Sequence, residues 1–155
     1  MTLRTILLCL LSCMQAFAFA DLNAGLRALD KGDYDTALKE LLPLARQGNP
    51  EAQFGLGFMY RHGGQGVPKN NKEAVKWYRL AADQGDFGAQ NNLGHMYEHG
   101  LGVPQDYIQA HMWYNLAGYA GFRDRLAEKM SPMQIAEAQR LAREWKPTNP
   151  GKKRD

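Results

Sequence analysis

Cysteine is almost missing from this chain: of 155 residues only Cys9 and Cys13 carry a thiol, and both lie within the first twenty. A mature chain starting later would have no disulfide and no thiolate nucleophile, so packing alone would have to hold it. Serine is equally scarce, Ser131 being the only one after Ser12. With no S-x-x-K and no K-T-G, the catalytic serine of penicillin-recognising enzymes has no counterpart here. The apolar run Ile6 to Leu11 falls well short of the about 20 residues that span a bilayer. Neither sign of charge prevails: between Asp21 and Trp145 there are 14 Lys/Arg and 15 Asp/Glu, so the body has no basic face for nucleic acid.

What is present begins with MTLRTILLCLLSCMQAFAFA. Arg4 precedes the apolar run, and Ala18-Phe19-Ala20 has the small-x-small pattern of a signal-peptidase site. Residues 1–20 therefore read as a secretory signal cleaved after Ala20, leaving a periplasmic or secreted chain that starts at Asp21. A retained N-terminal helix is one alternative. A lipoprotein anchored through Cys13 is another, with Leu10-Leu11-Ser12-Cys13 as a loose lipobox. At the other end, residues 147–155 carry Lys152, Lys153 and Arg154 and read as a solvated, disordered basic tail.

The body repeats itself. AQFGLGFMYRHGGQGVPKNNKEAVKWYRLAADQG from Ala52 matches AQNNLGHMYEHGLGVPQDYIQAHMWYNLAGYAG from Ala89, first at 37 residues and, beyond one extra glycine, at 36. Each copy reads as a helix, a Gly-Val-Pro loop and a second helix. The first copy's helices should run from about Glu51 to His62 and from about Asn71 to Gln84. Asn71 is a candidate N-cap, and Gly63, Gly85, Gly100 and Gly121 are candidate C-caps.

Residue types within each copy follow a packing logic. Ala52, Leu56, Met59 and Tyr60 share one helical face, with Gly57 admitting a close neighbour, and Ala74, Trp77, Tyr78 and Ala81 form the facing stripe. One pair cannot bury such stripes alone, so pairs must stack. Upstream, Ala37, Leu41, Leu44 and Gly48 stand 37 residues before Ala74, Tyr78, Ala81 and Gly85, marking a degenerate copy whose first helix covers Asp21 to Lys31. Downstream, Ser131, Pro132 and Gln134 form a helix start with a capping box, and the helix runs to about Trp145. The divisions are thus a degenerate repeat at 21–48, repeats at 49–85 and 86–121, and a helical cap at 122–146, about eight helices and no strands.

AQ-x-x-LG-x-MY-x-x-G-x-GV-P followed by A-x-x-WY-x-x-A resembles the Sel-one-like repeat, a relative of the tetratricopeptide repeat. The resemblance covers Asn49 to Gly121 and, more weakly, the copy before it. It implies an all-α, right-handed α/α solenoid of antiparallel helix pairs with a C-terminal capping pair. It also implies a function in binding proteins, without common chemistry. Bacterial envelope members resemble adaptors and regulators of cell-wall, polysaccharide or flagellar assemblies. An enzyme like the β-lactam-binding cysteine-rich relatives is disfavoured by the missing cysteines; a structural spacer in a larger assembly is a further alternative.

His95-Met96-Tyr97-Glu98-His99 matches H-x-x-E-H, which in zinc proteases supplies two ligands and a base. Aligned with Phe58-Met59-Tyr60-Arg61-His62, however, Met96 and Tyr97 become core positions, whereas His95, Glu98 and His99 become outward ones. No third-ligand motif accompanies them, His111 being only a spare histidine, so neither a metal nor a cofactor is expected. The register that the resemblance implies puts Phe54, Phe58, Arg61, His62, Asn91, His95, Glu98 and His99 on the concave face as candidate contacts for a protein or peptide partner. Either a partner or the first helix pair should cover Phe54 and Phe58.

Overall fold

The computed structural model describes residues 20–148. Among them are eight α-helices and no extended strand: α1 Leu22–Asp30, α2 Tyr34–Arg46, α3 Pro50–His62, α4 Asn71–Asp83, α5 Phe87–His99, α6 Tyr107–Ala117, α7 Ala120–Ala127 and α8 Pro132–Glu144. All but α7 start at a side chain that accepts from a first-turn N–H: Asp21, Asp33, Asn49, Asn70, Asp86, Asp106 and Ser131. Each satisfies one of the four orphan donors of a helix start, and Asp21 two of them, which is why the chain turns helical there. Ser131 and Gln134 complete the expected capping box.

Two expected caps shift. Asn70, not Asn71, accepts from the Glu73 N–H at 3.1 Å, because Asn70 keeps the extended backbone that a cap requires. Gly121 is no cap either. It is the second residue of α7, and α6 instead closes on Gly118 at φ 76, where L side chains fit poorly.

Buried glutamines and small residues join one pair to the next. Gln53 Nε2 donates to the Ala45 carbonyl at 3.0 Å, and Gln90 Nε2 to the Ala82 carbonyl at 3.1 Å. The repeated Ala-Gln thus ties each new pair to the last turn of the one before. A Cβ on Gly57 would lie 2.5 Å from the Tyr78 ring, and one on Gly94 2.8 Å from the Tyr114 ring. The repeated Leu-Gly therefore leaves room for the tyrosine of its own second helix.

Helices α1, α3 and α5 form one layer, with α3 touching both neighbours. Across the other layer α2 and α4 splay, leaving an open cleft of about 520 Å³ lined by Ala45, Gln53, Trp77, Leu80 and Thr148. Since neighbours meet on one side and part on the other, the stack curves with α1, α3 and α5 on its concave side. Three clusters of buried side chains follow one another along it: Leu41 with Leu56 and Met59, then Tyr78 with Leu93, Met96 and Trp113, then Tyr114 with Leu126, Met130 and Ala138. Helix α8 packs on α6 and ends the array.

The segment after α8 does not simply trail into solvent. Trp145 packs edge-on against Trp113 at 6.3 Å, and the Thr148 N–H donates to the Asp83 carbonyl at 2.7 Å. The tail expected at 147–155 is thus tied to the end of α4 where it begins. Residues 149–155 lie outside the described residues, as do residues 1–19 of the expected signal with Cys9 and Cys13. No described helix is long and apolar enough to cross a membrane.

Candidate functional site

On the concave layer, helical spacing sets which side chains meet. Phe58 and His62 lie one turn apart on α3, and their rings sit 4.1 Å apart; His95 and His99 repeat the arrangement on α5 with stacked rings at 4.2 Å. The His62 Nδ1–H donates to the Phe58 carbonyl at 2.9 Å, and the His99 Nδ1–H to the His95 carbonyl at 3.0 Å. A carbonyl only accepts, so both rings carry their proton on Nδ1 and turn Nε2 outward.

Arg61 links the two repeats. Its guanidinium donates to Asn92 Oδ1 and, at 3.2 Å, to Nδ1 of His95. Accepting at Nδ1 requires His95 to be neutral with its proton on Nε2. Burial keeps the His95 pKa below the usual imidazole range, Arg61, His99 and Arg125 push it the same way, and Glu98 opposes them.

Glu98 is not where the repeat alignment suggests. It is 4% exposed, and its Oε2 accepts from the Tyr114 hydroxyl at 2.8 Å while Lys129 Nζ stands 3.8 Å from Oε1. The correction has a physical reason: α6 places a tyrosine, and the turn after α7 a lysine, where the side chain next to Tyr97 would otherwise meet solvent. Burial first, then the Glu98 hydrogen bond and charge, raise the Tyr114 pKa, with Arg125 and Arg61 opposing. Committed to Tyr114 and Lys129, Glu98 does not join the histidine pair. Among the described residues no three His, Cys, Asp or Glu side chains converge as metal ligands would.

The remaining candidates divide. His62 and His99 are exposed, Phe54, Phe58, Arg61, Asn91 and His95 half-buried. Phe54 wedges between repeats, its ring 5.9 Å from that of Tyr78 and against Gly88 of α5. Together Phe54 and Phe58 line a cleft of about 440 Å³ with Leu29, Asp30, Gly32 and Tyr34. The first helix pair therefore forms the opposite wall of that cleft and leaves it open.

Sequence reasoning missed Asn92, Arg125 and Phe122. Asn92 replaces Gly55 of the earlier copy, a departure from the repeat that could have drawn notice. Arg125 and Phe122 belong to the cap, where no register existed to place them. The Arg125 guanidinium sits 5.1 Å over the Phe122 ring, and that ring stacks on Tyr114 at 5.5 Å.

Comparison with known proteins matches this geometry. The Sel1 repeat profile fits residues 50–86 and 88–122. Chitin synthase regulatory factor 3 of Schizosaccharomyces pombe is 42% identical over 89 residues, covering 55% of this chain and 10% of that protein. The chain thus spans about a tenth of that curated relative's length. A protective antigen of uropathogenic Escherichia coli strains, displaying an SLR fold, superposes with a TM-score of 0.77 at 31% identity, over 86% of this chain and 31% of that one. A Sel1 repeat protein from Oxalobacter formigenes gives a TM-score of 0.59 at 36% identity, over 64% of this chain and 79% of that one.

Proposed function

Because the chain belongs to the Sel1 repeat family, we propose that it is a non-enzymatic interaction module, an adaptor or regulator that holds a protein or peptide partner in the groove of α1, α3 and α5. The observation that carries the reading is the cleft at Phe58. There a half-buried aromatic ring on the concave wall opens into about 440 Å³ of space whose other side is Leu29 and Tyr34. Aromatic side chains at the edge of a preformed concavity are what an apolar anchor of a partner needs. Phe54 and Phe58 supply the apolar contact, with Arg61, His62, Asn91, His95 and His99 as polar rim. Glu98 serves from behind, by fixing Tyr114.

The partner is proposed to be a component of the bacterial cell envelope, reached after export and cleavage at Ala20. In support, the residue after the expected cleavage site has a structural task of its own: Asp21 caps α1, and its N–H donates to the Glu40 carboxylate at 2.8 Å. Cleavage there would turn that donor into an ammonium facing the carboxylate, a stronger bond.

Crosslinking capture from envelope extract, with the chain from Asp21 and a Phe58→Asp variant of equal helicity, tests the reading. A defined partner lost by the variant is the expected outcome. Capture of the same partner by both sinks the groove assignment.

A further inference from the structure

We infer that the middle of this groove selects an acidic peptide segment, the partner presenting Asp or Glu side chains between apolar anchors; the inference rests on the groove reading above. Its basis is an imbalance of charge. Arg61 spends its hydrogen bonds on neutral groups, Asn92 and His95. Arg125, exposed, rests on the Phe122 ring. Among the described residues neither guanidinium has a carboxylate within ion-pair distance, although ion pairs form elsewhere on the surface. The carboxylate nearest to this region, Glu98, is buried and already held by Tyr114 and Lys129.

Both guanidiniums act on the same two groups. Each lowers the pKa of His95, and each opposes the rise of Tyr114. The contacts agree: Arg61 from α3 reaches His95, and Arg125 from α7 lies over the Phe122 ring that stacks on Tyr114, whose hydroxyl holds Glu98, so both guanidiniums act on the stretch of α5 from His95 to Glu98. Cations left unpaired around a partly desolvated spot attract an anionic ligand more strongly than exposed cations do.

A peptide fits better than a polyanion such as nucleic acid. Apolar anchors stand at both ends, Phe58 on one side and exposed Phe122 and Tyr119 on the other. Asp30, in the wall beside Phe58, keeps that end from being cationic, which confines the preference to the centre.

Panning a randomised library of short displayed peptides against the chain from Asp21 tests the inference. Enrichment of Asp and Glu in the selected peptides is expected, with binding weakened at high salt. Arg61→Glu and Arg125→Glu, checked for unchanged helicity, should lower affinity for a selected acidic peptide about tenfold or more, and together should shift selection towards Lys and Arg. If Arg61→Glu disturbs folding, Arg61→Gln with Arg125→Gln gives the same reading. Selected peptides that are neutral or basic overturn the inference. So do an affinity indifferent to both arginines, no selection at all, or tighter binding of a single-stranded oligonucleotide. Neutral peptides that bind the wild type and are lost with Phe58→Asp would leave the groove reading standing and remove only its acidic preference.

Discussion

Arg61 and Glu98 occupy the same place in successive copies, each beside the tyrosine of its own second helix. Tyr78 is buried, which raises its pKa, and the Arg61 charge acts against that rise. Tyr114 instead gives its proton in a hydrogen bond to Glu98. One exchange of sign at a repeated position thus frees Arg61 to reach across to Asn92 and His95 and withdraws Glu98 from the surface. Among the histidines, His95 and His111 both have pKa values lowered first by burial; Arg123 adds to this at His111 and Asp124 opposes it. A depressed folded pKa means that the unfolded chain binds the extra proton more readily. The stability from keeping these rings neutral is complete above the unfolded value of about 6.5 and is lost as pH falls through the lower folded values. Urea melts at about pH 7.5 and about pH 5.5 should show a less stable protein at the lower pH. His111→Gln, at a site only 2% exposed, should reduce that difference, and an unchanged difference would contradict the assignment.

At the scale of the element, the helices owe their starts to single polar residues and their close approach to glycine. Asp106, capping α6, shows the first: its Oδ1 accepts from the Gln109 N–H at 3.0 Å, and its own N–H returns to the Tyr97 carbonyl, which fixes the α5–α6 turn. Gly94 shows the second. An added methyl would meet Tyr114 Cδ1 at 2.8 Å, against a ring stacked on Phe122 and bonded to Glu98, with little room to yield. Gly94→Ala gains helix propensity, yet overpacking of this kind costs about 1–3 kcal/mol and should win. A lower urea midpoint for Gly94→Ala is the expected result; a midpoint equal to or above the wild type's would mean that the α5–α6 contact gives way freely.

The whole molecule is a line of neighbours with a stop at one end. Each pair is covered by the next, so stability accumulates through interfaces rather than around one centre. Helix α8 is the stop: Ala138 and Ala142 seal α6, and Trp145 and Thr148 reach back to Trp113 and Asp83. Ending the chain at Met130 would uncover Ala110, Trp113 and Tyr114, apolar surface with nothing to meet. Size-exclusion chromatography and circular dichroism of that truncation should find association or lost helicity. A monodisperse product with undiminished helicity per residue would show that α8 is dispensable.

The sequence by itself determined that the chain is helical, where the pairs divide and which residues pack, because a period of 36 or 37 residues repeats the packing instructions: Ala52 with Ala89, Leu56 with Leu93, Gly57 with Gly94. It determined the surface less well, since a residue that departs from the repeat has no register to interpret it. Glu98 looked outward because its counterpart Arg61 was polar, and only α6 and the α7–α8 turn, folding back over it, decided that it is buried. Only the tertiary structure joined Arg61 to Asn92 and His95 across two copies and laid Arg125 over the Phe122 ring on Tyr114, because Asn92 and His95 lie 31 and 34 residues from Arg61 at no common period and the cap has no repeat to place it. Curvature was decided there as well, by α1, α3 and α5 meeting on one side while α2 and α4 part on the other.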